Sequence, residues 1–330
     1  MATIVVTGGA GFIGSNVLAG LEARGGARLV CCDRFGDGDK WRNVAKRDLA
    51  DVVAPDRLLD WLARHEDEVD AIVHLGAVSD TTARDVDATL DANFRSSLAL
   101  WEWCAPRAKR LLWASSAATY GDGAAGFDDD PSAAALARLR PLNPYGWSKH
   151  LFDRRVAADL AARGRAPRQH VGLKFFNVYG PNEYHKDAQR SVIHRIHAVA
   201  RSGHACTLFR SHRTDIADGG QQRDFVWVGD CVDVVLWLLD HPKVNGLFNV
   251  GSGRARSFRD AAQAVYAACG HEPRIEFVDT PPELRAHYQY FTEAKLDRLR
   301  KAGWTQPTTS LEDGVRRYVT EFLGAADPYR

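Results

Sequence analysis

The stretch at 3–25, TIVVTGGAGFIGSNVLAGLEARG, constrains this chain more than any other. An apolar run of strand type leads into Gly8, Gly11 and Gly14, and a helical pattern follows at once. Glycines there let the backbone turn sharply and approach a pyrophosphate, which the helix N-terminus then stabilises. An ordinary strand–helix turn would use glycine too. What favours the ligand is an acid about twenty residues past the last glycine. Asp33, closing the run ARLVCCD, stands there. The residues therefore predict a dinucleotide site lined by Gly8, Gly11, Phe12, Ile13, Gly14 and Asp33. Asp33 would accept from a ribose 2′-hydroxyl, which points to NAD. Arg34 and Lys40 would hold a 2′-phosphate, which points to NADP. The residues leave that choice open.

Beyond this unit, short apolar runs alternate with helical patterns: DRLLDWLARH, VDAIVHLGA, TLDANFRSSLALWEWCA, RLLWASS and VGLKFFNVYG. Strands separated by helices imply βαβ units. The expected fold is α/β, a doubly wound parallel Rossmann sheet with a smaller α/β substrate domain. The expected division is 1–175 with 222–250 for the dinucleotide domain, and 176–221 with 251–330 for the substrate domain. A late helix is expected to open on Thr309-Ser310-Leu311-Glu312, a capping-box pattern.

The chain has 330 residues, 45% hydrophobic and 26% charged, with a formal net charge of +1. That balance gives no electrostatic reason to expect nucleic acid or a membrane surface as partner. Its six cysteines show no metal spacing and fit a reducing cytoplasm. The first residues enter a strand directly, without a leader-like pattern.

The stretch NPYGWSK, 143–149, poses a chemical question. Asn143 is a good N-cap and Pro144 a good first helical residue. Tyr145 and Lys149 then stand four apart, on one side of a helix. Leu151, Phe152, Val156 and Leu160 can share an apolar face of it. The pair is either a half-exposed Tyr beside a solvated Lys, or an ammonium that lowers the phenol's pKa for proton exchange.

GGAGFIG, the Ser after RLLWAS and YxxxK together resemble the extended short-chain dehydrogenase/reductase family, over essentially the whole chain. The resemblance implies catalysis by Ser116, Tyr145 and Lys149. Working near neutrality would need the phenol to shift by about 3 units from its free value near ~10. Lys149 and a positive nicotinamide ring would each favour the phenolate. Within the family, SSAATYGD, LNPYGWSKHLFD, FFNVYGPNEYHK, QQRDFVWVGD and YQYFTEAKL are similar to the ADP-glyceromanno-heptose 6-epimerases. Those enzymes invert C6 of an ADP-linked heptose by transient oxidation to a 6-keto sugar, with a retained nicotinamide cofactor.

That likeness makes Lys186 a second acid/base, expected outside the cofactor cleft. It places Gly76, Ala77, Ser79, Asn93 and Val178 by the cofactor, with Tyr145 and Lys149. It places Asn177, His194, Arg223 and Tyr288 by the substrate, with Ser116. Rival readings are a surface role for His194 and a salt bridge from Arg223 to Asp224 or Asp230. The implied cofactor is NADP, with NAD as alternative. The implied partner is an ADP-heptose-type nucleotide sugar, and the implied assembly a homo-oligomer. Pro55 stands where a 2′-phosphate lysine is expected, and Leu75 and Val78 replace an acid and a cysteine. The segment 211–222 looks long where the nucleotide should lie. Ala117 and Ala118 disfavour a dehydratase, which would want acids there. A UDP-hexose 4-epimerase, which would not need Lys186, is the enzymatic alternative.

Overall fold

The computed structural model describes residues 2–162, 164–285 and 288–330, without the side chains of Glu283 and Leu284. Among the described residues, the main sheet has seven parallel strands. They are drawn from β1 (Ala2–Thr7), β2 (Ala27–Cys32), β3 (Asp51–Val53), β4 (Val69–His74), β5 (Arg110–Ser116), β6 (Gln169–Phe175) and β10 (Gly246–Val250). Their order is β10-β6-β5-β4-β1-β2-β3. The order reverses between β1 and β4, which is where a doubly wound sheet opens a ligand crevice.

Both faces are covered, as a parallel sheet requires. The helices Phe12–Arg24 and Val228–Asp240 share one face, so close that a Cβ on Gly20 would lie 2.5 Å from Val232. Leu58–Arg64, Ser96–Cys104 and Pro144–Ala161 cover the other, through Trp61, Leu62, Leu100, Trp101, Phe152 and Val156. Leu160 does not join this face: it is exposed, and the buried side of its helix instead carries Lys149 and Asp153.

The run VGLKFFNVYG is two strands rather than one. The chain leaves the main sheet after Phe175 and enters β7 (Asn177–Tyr179) of a second sheet. That sheet is ordered β11-β9-β7, with β9 (Gln222–Trp227) and β11 (Ala255–Ser257). A pair formed by β8 (Cys206–Phe209) and β12 (Ile275–Val278) adjoins it. Their core, with Ile193, Phe225, Trp227, Val265 and Tyr318, is separate from the two above. The late helix Leu311–Arg317 starts one residue later than expected. Ser310 is its cap, bonding the backbone N–H of Asp313, so Thr309 and Glu312 do not form the box.

Candidate active site

The glycine turn is shaped by contact as well as by conformation. Gly8 has φ +65°, and a Cβ there would lie 2.6 Å from the backbone nitrogen of Gly76, in the loop after β4. A Cβ on Gly14 would lie 2.0 Å from the Gly8 carbonyl oxygen. The helix opens on Gly11 with no side-chain cap, which leaves its first-turn N–H groups to a ligand. Asp33 sits beside the turn and accepts from the Ala10 N–H at 2.9 Å. Its other oxygen accepts from the Arg34 N–H at 2.7 Å and from Lys40 Nζ at 2.6 Å. The two residues that pointed to different cofactors are thus one ion pair. An uncapped helix N-terminus, a glycine cradle and an acid at the next strand end fit a nicotinamide dinucleotide.

The loop after β4 carries Gly76, Ala77, Val78 and Ser79. Asn93, fully buried, fixes it. Its Oδ1 accepts from the Val78 N–H, and its Nδ2 donates to the Val78 carbonyl and to Ser148 Oγ. Asn93 therefore ties the loop to the Tyr145 helix, and its own amide is fully used in doing so. Beneath the loop, His74 bridges Thr7 Oγ1 at 2.6 Å and Ser97 Oγ at 2.9 Å. Burial and the Lys149 ammonium push His74 down to about 3, so the ring is neutral.

The Tyr145 helix spans Pro144–Ala161. Asn143 caps it through the Gly146 N–H at 2.8 Å, with Pro144 in its first turn. Gly146 packs on the turn after Ser116, where its Cβ would meet the Ala118 carbonyl oxygen at 2.7 Å. This contact brings the end of β5 and the start of the helix together. Burial pushes the Tyr145 phenol above its ordinary value, and the Ser116 side chain draws it back. The expected lowering by Lys149 is not what sets the phenol here. Lys149 is itself buried, which lowers its ammonium to about 8 against the pull of Asp153.

Lys186 lies on the irregular segment after β7. The segment takes two unusual backbone turns, at Asn182 (φ +72°) and Asp187 (φ +46°). Buried Glu183 holds it: the carboxylate accepts from the Ser191 N–H and Oγ and from the Tyr318 hydroxyl. Lys186 Nζ sits 5.6 Å from the centre of the Phe12 ring. It therefore stands against the glycine turn rather than outside the cofactor cleft. Burial lowers its pKa, opposed by Glu183. His185 reaches the other way, to Asn43 Nδ2 at 3.1 Å, and burial pushes it to about 4.

The chain's last residues fasten the same segment. The Tyr184 hydroxyl donates to the Pro328 carbonyl at 2.8 Å, and the Arg330 N–H to Asn182 Oδ1 at 2.9 Å. Sequence reading missed this strap, because nothing local in DPYR reveals its partner.

Arg223, on β9, is buried at 9% exposure. Its guanidinium lies 5.5 Å from both the Phe258 and Tyr288 rings, and it donates to its neighbour's carbonyl. Neither expected carboxylate pairs with it. Asp224 accepts from the N–H groups of Ser252, Gly253 and Ala294, and Asp230 from Thr309. Among the described residues Arg223 makes no ion pair. A buried guanidinium between two aromatic rings, without its own anion, suits an incoming diphosphate. His194 lies on the helix Val192–Ala200, with its ring 5.7 Å from Tyr184. Asn177 is exposed at the start of β7, and Val178 half-buried beside it.

A switch-point crevice lined by a glycine turn, with the Tyr145–Lys149 helix tied to the loop after β4, is an arrangement that suits work on a hydroxyl next to a dinucleotide. Residues 4–251 match the NAD dependent epimerase/dehydratase family, and the chain belongs to it. Over 328 residues it is 49% identical to the ADP-L-glycero-D-manno-heptose-6-epimerase of Nitratidesulfovibrio vulgaris (strain DP4), covering 98% of this chain and 99% of that protein. The crystal structure of Helicobacter pylori ADP-L-glycero-D-manno-heptose-6-epimerase is similar at TM-score 0.78 and 26% identity, over 97% of this chain and 96% of that one. The UDP-glucose 4-epimerase of Thermus thermophilus, in complex with NAD, is similar at TM-score 0.74 and 25% identity, over 98% of this chain and all of that one.

Proposed function

We propose that this chain is an epimerase that inverts C6 of ADP-glycero-manno-heptose, supplying the heptose of lipopolysaccharide core. The observation that carries the reading is that two half-buried proton carriers come from different elements: Tyr145 from the helix Pro144–Ala161 and Lys186 from the segment whose ammonium lies over Phe12 of the glycine turn. Full-length likeness to a 6-epimerase at 49% identity supports the sugar and the position. A UDP-hexose 4-epimerase would have no use for Lys186.

Residues 1–175 with 222–250 form the cofactor-holding unit in this reading, and 176–221 with 251–330 the substrate unit. The bound dinucleotide supplies reversible hydride transfer. Gly8, Gly11, Phe12, Ile13 and Gly14 hold its pyrophosphate, Asp33 its ribose, and Gly76, Ala77, Ser79, Asn93 and Val178 surround it. Tyr145 moves the proton of the C6 hydroxyl on one side, with Ser116 orienting that oxygen and Lys149 favouring the phenolate. After rotation about C5–C6 the oxygen faces the other side, where Lys186 handles the proton. Arg223 and Tyr288 hold the diphosphate end, and Asn177 and His194 contact the sugar nucleotide.

The finer cofactor assignment is NADP, its 2′-phosphate taken by Lys40 and Arg34 once Lys40 turns from Asp33. NAD is the alternative, with Asp33 accepting from the ribose. Six unpaired cysteines support a reducing cytoplasm. A homo-oligomer is the assembly this reading carries with it, and the molar mass in solution tests it.

The test is to incubate the protein with ADP-D-glycero-D-manno-heptose and follow the C6 epimer by NMR, with no added cofactor. Conversion is expected, because a cofactor regenerated in each cycle need not leave. Conversion of UDP-glucose instead would overturn the reading. Nucleotide released on denaturation decides between NADP and NAD. Arg223→Ala should raise KM about tenfold or more with the fold intact, as for a lost charge-assisted anion contact.

A further inference from the structure

Behind the catalytic helix lies an ion pair that the reaction does not touch. Asp153 and Lys174 are both fully buried, with Lys174 Nζ 2.9 Å from Asp153 Oδ2. Asp153 is one turn beyond Lys149 and two beyond Tyr145 on the same helix. Its carboxylate also accepts from Ser115 Oγ at 2.6 Å and from the Trp113 indole at 3.3 Å. Lys174, on β6, donates to Thr119 Oγ1 at 2.5 Å, and Thr119 donates back to the Ser116 carbonyl at 2.7 Å. One pair thereby joins the end of β5, the turn after it, β6 and the Tyr145 helix.

We propose that the Asp153–Lys174 pair positions the catalytic trio and sets the charge of Lys149: Asp153 is its counter-ion, and Lys174 tempers that attraction while fixing Ser116. The assignment rests on the catalytic reading of Tyr145 and Lys149. Two buried charges so placed are costly to a fold unless each is paired and hydrogen-bonded, as both are here. A pair serving stability alone would have no need to lie in the i,i+4 row of the catalytic lysine.

The groups around the pair come from every neighbouring element. Facing Asp153 are Lys174 from β6, Ser115 and Trp113 from β5, and Lys149 and His150 from its own helix. The Tyr120 ring lies 4.9 Å from Lys174 Nζ, and His74 of β4 lies near Lys149. Arg140 and Arg154 act on His150. Burial pushes His150 to about 4 and His74 to about 3, so neither ring carries charge near neutrality. Asp153 is the charged group that acts on Lys149, and Lys174 is the partner that holds Asp153.

Opposite signs make the test. Asp153→Asn removes the counter-ion and leaves Lys174 charged, so Lys149 should lose its proton at lower pH. Lys174→Met frees Asp153 to serve Lys149 alone, so Lys149 should hold its proton to higher pH. The basic limb of the kcat profile should move down in the first and up in the second, each by about one pH unit, with KM little changed. Lys174→Arg should return the limb to the parental position, and the double variant Asp153→Asn/Lys174→Met should lie near it. The same order should appear in the NMR titration of the Lys149 ammonium with 13C-labelled lysine, assigned by Lys149→Met.

If Asp153→Asn does not fold, Lys174→Met and the double variant still decide. Limbs that move in one direction, or stay still while the melting temperature falls, would reduce the pair to a structural tie and overturn the proposal. Failure of the protein to epimerise the heptose, with the lysine signal still moving oppositely in the two variants, would sink the functional reading and leave the pair's role standing.

Discussion

The two proposed proton carriers, Tyr145 and Lys186, stand on very different ground. Tyr145 rises from a capped helix of eighteen residues, whose buried side is held by an ion pair and by Phe152 and Val156. Lys186 sits on a segment with two non-glycine residues at positive φ, held by one buried carboxylate and by the far end of the chain. The first side is rigid because regular structure fixes it. The second has its shape imposed from outside, by partners distant in sequence. An enzyme that must let a sugar turn between two acids gains from this asymmetry. In the proposed mechanism the helix would fix the oxygen during hydride transfer, and the loop would receive it after rotation.

The largest expected effect tests the rigid side. Tyr145→Phe should lower turnover about a hundredfold or more, with an unchanged melting temperature and cofactor content. Full turnover in a folded variant would remove Tyr145 from the mechanism. Lys186→Ala should lower epimerisation on a similar scale. It differs in one respect, because Lys186 Nζ lies over Phe12 of the glycine turn. Its loss should also weaken cofactor binding severalfold, the scale of a partly exposed cation–π contact. Isothermal titration of the cofactor separates the two. Cofactor binding lost in Tyr145→Phe and kept in Lys186→Ala would invert the comparison.

The same asymmetry decided what could be read from the sequence. The Asn143–Pro144 start and the Tyr145–Lys149 spacing are local, and a local rule reached them. Asp153 continues that row, but its partner Lys174 is twenty-one residues away on another element, which no spacing rule reveals. Lys186 was reached through family likeness alone. Its position over Phe12 depends on a fold that brings residues 12 and 186 together. Leu160 looked apolar-facing by period, yet the helix turns Lys149 and Asp153 inward in place of a continuous greasy stripe. VGLKFFNVYG read as one strand because period and composition carry no mark where the chain changes sheets. Arg223 was expected to choose between a salt bridge and a ligand, and only the placement of Asp224 and Asp230 against backbone N–H groups separates the two.

A backbone exchange sharpens the contrast with opposite signs. Asp187 holds φ +46° and ψ −119°, a region glycine enters freely. Asp187→Gly should relieve strain and raise stability by about 1 kcal/mol, net of the entropy glycine adds to the unfolded chain. Its ion pair with Arg190 is too exposed to offset this. Ala157→Gly, in the Tyr145 helix, should lower stability by about 1 kcal/mol. Chemical denaturation measures both. Destabilisation by both would mean that the Asp187 turn is not strained.

The smallest effect concerns the strap at the end of the chain. Tyr329 packs edge-on against Tyr184, with ring centres 5.2 Å apart, and lies under the Arg42 guanidinium at 5.7 Å. Besides a bond from the Arg330 guanidinium to Asn16 Oδ1, the strap's hydrogen bonds use the Pro328 carbonyl, the Tyr329 carbonyl from Lys46, and the Arg330 N–H. Those are backbone groups, so Tyr329→Ala keeps them and removes only the aromatic contacts, worth about 1 kcal/mol together. Turnover should fall about threefold, because a looser Tyr184 lets the neighbouring Lys186 stray from one geometry. Where that loss is felt is the decisive point. In a Lys186→Ala background the same change should do nothing further, because the group it positions is gone. In a Tyr145→Phe background it should still cost its threefold, because the helix side does not pass through the strap. Equal losses in both backgrounds would mean that the strap steadies the whole molecule, and that the two sides of the site are less independent than their construction suggests.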